Sequence, residues 1–232
     1  AEHPSSANVL KPFLRGRDIK RWRVEFANQY LIKIESSENK QHSWSGKPEQ
    51  EAERIFAKTY PAIHAWFEHF RSKLIDRDDQ GKYFWELRSC AYWQEFEQPK
   101  IVFPDIAAHC EFGWDAQKHY LVNTAYILPT NEKWLLALLN SKVTNWIYGK
   151  ISNTIRGSYL RFIRQYIEAI PIPSTSRTDQ AALEALVDSI LSAKHADPRA
   201  DVTDLEREID ERVYRLYGLT PEEIRIVEES LK

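Results

Sequence analysis

Ile170-Pro171-Ile172-Pro173-Ser174-Thr175-Ser176 divides this chain into two regions of different character. Two prolines one residue apart cannot continue a helix, because each lacks an amide donor and each restricts the residue before it. Behind them the apolar spacing is helical. Ser176 or Thr178 caps a segment carrying Leu183, Leu186, Val187, Ile190 and Leu191. After the reversal at Asp197 and Pro198, Leu205, Ile209, Val213 and Leu216 supply the matching stripe up to Gly218. Thr220-Pro221-Glu222-Glu223 is a capping box with proline at the first helical position. Ahead of the prolines the signals are mixed. Residues 30–35, 83–88, 100–103 and 120–128 read as strands, residues 49–76 as helix divided at Pro61, and residues 131–149 as a helix capped by Asn131 and ended by Gly149. A basic stretch follows, with a short helix around residues 159–168. The fold class is α+β: a mixed α/β domain of short strands and helices over residues 1–173, then an α-helical hairpin over residues 174–232.

The charge is segregated in the same way. The 232 residues carry a net charge of −2, but residues 197–232 hold eleven acids against six bases. Residues 10–23, Leu-Lys-Pro-Phe-Leu-Arg-Gly-Arg-Asp-Ile-Lys-Arg-Trp-Arg, set six bases against one acid, a local charge of +5. Between Lys142 and Arg164 five further cations occur with no acid, interleaved with Trp146, Tyr148, Tyr159 and Phe162 and with Asn145, Asn153, Thr154 and Ser158. Cations, stacking rings and hydrogen-bonding side chains together are what a nucleic-acid groove requires. The two basic segments are expected to form one composite anionic-ligand surface, and Gly16, lacking a Cβ, to let the backbone approach that ligand closely. The candidate contacts are Arg15, Arg17, Lys20, Arg21, Arg23, Lys142, Lys150, Arg156, Ser158, Tyr159, Arg161 and Arg164. Among them, Arg156, Arg161 and Arg164 have no acid nearby in sequence to neutralise them.

Catalytic signatures are missing. There is no glycine-rich cofactor turn, no Asn-Pro-Pro-Tyr loop for a flipped base, no Gly-Lys-Ser phosphate loop and no nucleophile arrangement. A restriction-type nuclease needs an acid followed by a carboxylate and a lysine separated by one residue. Asp105 follows Pro104, but Asp115-Ala116-Gln117-Lys118 is one residue too long. His109, Cys110 and His119 lack the paired spacing of zinc ligands, and His64 and His69 stand five apart, which is poor for one ion. The two cysteines, Cys90 and Cys110, make no disulfide framework, so a cytoplasmic location is expected. No apolar run reaches the length of a membrane span. The chain opens Ala1-Glu2-His3-Pro4 and contains no methionine, so it is expected to be a piece of a longer polypeptide.

Several segments, taken in order, resemble the TaqI-like C-terminal specificity domain. These are residues 10–22, Glu86-Leu87-Arg88, Pro99-Lys100-Ile101-Val102-Phe103-Pro104-Asp105, Leu138-Leu139-Asn140-Ser141, Ile170-Pro171-Ile172-Pro173, and the tail pattern Glu208-Ile209-Asp210 with Tyr214 and Leu216-Tyr217-Gly218-Leu219-Thr220. That family stands behind an N6-adenine methyltransferase domain in restriction-modification and phage-defence enzymes. The resemblance implies a non-catalytic target recognition domain that holds double-stranded DNA for an upstream methyltransferase domain in the same polypeptide. It also implies S-adenosylmethionine, with Mg2+ as a second candidate, as cofactors of the parent and none of this fragment. Two other readings remain open on the residues alone: a protein-interaction module docking another subunit, and an autonomous nuclease.

Overall fold

The computed structural model describes residues 3–155 and 157–231. In chain order it contains β1 (Leu10–Leu14), β2 (Ile19–Lys20), β3 (Arg23–Val24) and β4 (Tyr30–Ile32), then α1 (Glu49–Thr59), α2 (Pro61–Glu68) and α3 (Arg71–Ile75). Five strands follow: β5 (Lys100–Pro104), β6 (Ile106–Ala107), β7 (Gly113–Asp115), β8 (Tyr120–Leu121) and β9 (Ala125–Pro129). The remainder is α4 (Lys133–Leu139), α5 (Lys142–Ile151), β10 (Thr154–Ile155), β11 (Tyr159–Arg161), α6 (Arg164–Ile167), α7 (Arg177–Ala196), α8 (Thr203–Leu216) and α9 (Pro221–Glu229). The fold is mixed α+β, and no helix among the described residues is long and apolar enough to cross a membrane.

The chain forms two compact units: residues 1–13 with 28–95, and residues 14–27 with 96–232. This division differs from the expected boundary at residue 173. Helix α4 is the reason. Leu136, Ala137 and Leu138 are fully buried in it, and α7 and α8 bury Leu183, Val187, Ile190, Ile209 and Val213 in the same core. A helix apolar on every side must be covered on every side. The C-terminal helices therefore complete the second unit's core and are not an appendage to it.

The first unit is built around aromatic rings. β1 pairs antiparallel with β4, placing Lys11 opposite Leu31. Pro61 opens α2 and separates it from α1, as its missing donor requires. The Trp85 ring lies 5.0 Å from Phe56 and 4.8 Å from Tyr83, parallel to both. Residues 83–88, expected as a strand, form a turn instead. Glu86 explains this, because its fully buried carboxylate accepts from the Ser37 amide at 2.9 Å, the Lys82 amide at 2.9 Å, the Ser37 hydroxyl at 2.6 Å and the Trp44 indole at 2.9 Å. A side chain serving four donors fixes a loop more firmly than a ladder would.

In the second unit β5 is buried along its whole length and lies between β7 and β9, both antiparallel to it. Residues 120–128 are two strands, not one, because residues 122–124 turn between β8 and β9. The helix expected from Asn131 to Gly149 is also two. Asn140 breaks it: its amide group accepts from the Phe112 N–H at 3.1 Å and donates to the Phe112 carbonyl at 2.9 Å, leaving Ser141 to cap α5. Gly149 lies inside α5, and Glu132, not Asn131, is the cap position of α4. The expected helix at residues 159–168 begins as β11, since Leu160 pairs with both Thr154 and Ala107. The helical end follows its sequence signals: Ser176 caps α7, and Thr220 with Glu223 forms the capping box of α9.

Candidate nucleic-acid interface

The second basic segment and residues 14–23 of the first belong to the second unit, whereas Lys11 falls in the first. In the first of them, Gly16 is packed against its own chain. A Cβ there would stand 2.3 Å from the Thr124 carbonyl oxygen, and the Gly16 amide donates to the Thr124 hydroxyl at 3.1 Å. The close approach that glycine permits is thus used internally, contrary to the expectation that it faces a ligand. Arg15 grips Asp18 with two bonds, Nε to Oδ2 at 2.9 Å and Nη2 to Oδ1 at 2.8 Å. That grip holds the Asp18 carboxyl below the usual carboxylate range. Arg23 pairs with Glu25. Arg21 donates to the Asn140 carbonyl at 2.9 Å and lies 3.4 Å from Glu206, whose carboxylate also receives the Trp22 indole N–H at 2.5 Å. Arg17, exposed, and Lys20, half-buried, make no ion pair among the described residues.

The second basic segment is sorted in the same way. Lys142 reaches Glu228 at 3.0 Å and Asp210 at 3.8 Å. Burial raises the Asp210 carboxyl above its ordinary value, partly offset by the Lys142 amide bonded to it. The acidic C-terminal helices thus neutralise Arg21 and Lys142 from within the same unit. Arg164, on the surface, pairs with Glu168 one helical turn on, at 2.7 Å. Lys150 lies over the Trp146 ring at 5.8 Å, with no carboxylate beside it among the described residues. Arg161 donates from Nε to Asp105 at 2.9 Å. The expectation that Arg161 and Arg164 lack neutralising partners is therefore overturned, and Arg156 lies outside the described residues.

β10 and β11 form a hairpin whose tip is open. Gly157 takes φ +91°, a left-handed conformation suited to glycine, and a Cβ there would meet nothing within 4 Å. Ser158 is exposed and Tyr159 is 49% exposed. The base of the hairpin is anchored: the Tyr148 hydroxyl donates to the Arg161 carbonyl at 2.8 Å, and the Ser152 hydroxyl does so at 3.0 Å. Tyr148 in turn stacks on Phe162 at 4.4 Å. Burial pushes the Tyr148 hydroxyl well above its ordinary pKa, so it remains a donor.

The two segments are linked through Thr124 and Asp105. Gly16 contacts Thr124; the Thr124 carbonyl accepts the Asp105 amide at 3.0 Å; the Asp105 side chain holds Arg161; and the Asp105 carbonyl accepts the Phe162 amide at 2.8 Å. Gly16 and Arg161, more than a hundred residues apart in sequence, are thus joined by a short chain of hydrogen bonds. Sequence reasoning missed Thr124, and it took Asp105 as a nuclease acid and as the end of a family-like segment, not as the partner of Arg161. The one available signal was the placement of Asp105 directly after the buried β5 run.

Other titratable clusters are occupied by the protein's own cations. Asp115 is bound by Lys100 at 2.7 Å and by His119 at 2.8 Å, all three buried. Burial alone would raise the Asp115 carboxyl, but hydrogen bonding from His119 and the Lys100 charge bring it below its ordinary value. Glu53, His64 and Glu68 converge closely enough for a metal ion. The Arg71 guanidinium already donates to Glu53 at 2.8 Å and to Glu68 at 2.7 Å, and it draws the Glu53 carboxyl down to about 2. That cluster is a filled salt bridge.

A model of the TaqI-like C-terminal specificity domain matches residues 11–172. Among curated proteins, the type II methyltransferase M.XhoI of Xanthomonas vasicola is 26% identical over 197 residues, covering 79% of this chain and 34% of that protein. M.PaeR7I of Pseudomonas aeruginosa is 28% identical over 130 residues, covering 54% of this chain and 21% of that protein. M.BstVI of Geobacillus stearothermophilus is 24% identical over 229 residues, covering 97% and 37%. The chain thus spans about a third, or less, of the length of these relatives. Among solved structures, the type IIL restriction-modification enzyme MmeI in complex with DNA superposes with a TM-score of 0.61 at 14% identity. That superposition covers 97% of this chain and 31% of MmeI, a likeness of fold.

Proposed function

We propose that this chain, which belongs to the TaqI-like C-terminal specificity domain family, recognises double-stranded DNA for an adenine-specific methyltransferase or restriction-modification enzyme. The observation that carries this reading is the linkage of Gly16 and the β10–β11 hairpin through Thr124 and Asp105, with Arg17, Lys20 and Lys150 in no ion pair among the described residues. Phosphate binding requires cations that the protein's own acids do not already neutralise. Arg17, Lys20 and Lys150 position the duplex through phosphates, and Ser158, Tyr159 and Arg161 face its groove. Arg15, Arg21, Arg23, Lys142 and Arg164 shape that surface through their internal pairs. The relatives' names support a methyltransferase as the parent enzyme; its catalytic domain is proposed to lie upstream in the same polypeptide and to act in the cytoplasm. S-adenosylmethionine would supply the methyl group there, and Mg2+ would serve any associated cleavage.

Fluorescence anisotropy with labelled duplex at low salt tests this. The expected result is weak binding by the chain alone, with Kd on the order of micromolar, as for non-specific contacts. The same preparation should neither methylate DNA with labelled S-adenosylmethionine nor nick plasmid with magnesium. Failure to bind any duplex at low salt would refute the proposal.

A further inference from the structure

We infer that Asp105 and Arg161 act as one base-reading unit, in which the carboxylate holds the guanidinium so that its terminal amino groups address a guanine in the major groove. This rests on the DNA recognition proposed above and assigns part of its specificity.

The geometry of the pair distinguishes two ways in which an arginine meets DNA. An arginine that binds phosphate works through net charge, and a carboxylate beside it weakens that work. Asp105 lies 2.9 Å from the Arg161 Nε, and its side chain is only 18% exposed, so the pair presents little net charge. What survives neutralisation is the direction of the donors. Nε is the nitrogen that Asp105 engages, Tyr126 adds a lesser side-chain interaction, no carboxylate meets the two terminal amino groups among the described residues, and the Arg161 side chain is 43% exposed. Two parallel N–H donors in a fixed fork match the O6 and N7 acceptors of guanine.

Both partners are held by their main chains. The Asp105 amide and carbonyl are bonded to Thr124 and Phe162, and the Arg161 carbonyl to Tyr148 and Ser152. Arg161 also stands opposite Ile106 in the β6–β11 register. The neighbours suit base edges better than a phosphate chain. Ile106 is 44% exposed and Tyr159 49% exposed, offering apolar surface of the kind that packs on base edges and thymine methyl groups. A fork fixed at its root loses less freedom on binding than a mobile arginine, and this sharpens discrimination.

The test uses the full-length polypeptide carrying this chain and selection of bound duplexes from a randomised library, read by sequencing, with thermal melting as a fold control. Wild-type protein is expected to enrich a motif containing guanine. Arg161→Lys and Asp105→Asn should both reduce preference at the same G·C pair, by about ten-fold or more, at unchanged melting temperature. Asp105→Asn removes an acid beside DNA, so affinity for random-sequence duplex should hold or rise while selectivity falls, a pair of opposite changes that a structural role does not produce. An unchanged motif in both variants overturns the inference and leaves DNA recognition standing. So does uniform weakening across all sequences with a shallower salt slope in Arg161→Ala, which would make Arg161 a phosphate contact. A wild-type protein that enriches no duplex at all refutes the recognition proposal itself.

Discussion

Removing Arg17, Lys20 and Lys150 together should nearly abolish the salt dependence of DNA binding by this chain. None of the three is in an ion pair among the described residues, so each is available to release a counterion from the duplex. Counterion release contributes roughly −0.9 to the slope of log K against log salt for each phosphate neutralised. Three contacts give a slope of about −2.7, equivalent to a roughly forty-fold loss of affinity when salt rises from about 50 to about 200 mM. Arg17→Ala, Lys20→Ala and Lys150→Ala should each remove about 0.9 from that slope. Lys133→Ala is the control: it deletes the same charge, but Lys133 is already paired with Asp188 at 2.5 Å. Anisotropy titrations at four or more salt concentrations measure the slopes. A triple variant that keeps the wild-type slope, or a Lys133→Ala variant that lowers it equally, would refute the assignment of phosphate contacts by unpaired charge.

Lys100→Met should lower stability by about 3–5 kcal/mol in urea unfolding, because it removes the lysine ammonium that pairs with the buried Asp115. The Glu53 carboxyl, with its pKa lowered to about 2 by Arg71, stabilises the folded chain above the ordinary carboxylate range, and this contribution is lost as pH falls through about 2. Glu53→Gln should therefore flatten the acid limb of the stability profile between roughly pH 4.5 and 2, measured by denaturation at several pH values. Gly16→Ala would force a Cβ to within 2.3 Å of the Thr124 carbonyl, and should destabilise the second unit by about 1–3 kcal/mol and weaken duplex binding with it.

Local signals carried much of this architecture. The Pro61 division, the Ser176 and Thr220 caps and the buried run of β5 are each decided by a few adjacent residues, and each is found where the sequence places it. The errors lie where a distant partner overrides local preference. Asn140 ends α4 because its side chain is bonded to the Phe112 backbone, and Leu160 becomes strand because Ala107 lies across from it. The site divides in the same way. Clustered charge is visible in sequence, but which cations remain free is decided by acids far along the chain, such as Asp105 for Arg161 and Glu206 for Arg21. No periodicity encodes those pairings.

The β10–β11 hairpin separates what holds from what varies. Its root is tied to α5 through Tyr148 and Ser152, whereas Ser158 and Tyr159 stand in the open and the added volume at Gly157 would touch nothing. Exchanging the side chains at 158 and 159 would open no cavity and strand no buried donor, so such changes are close to neutral for stability. An evolving lineage can therefore try new tips on an unchanged mount, and, if the tip reads DNA as proposed, target preference can drift at a pace the core does not limit.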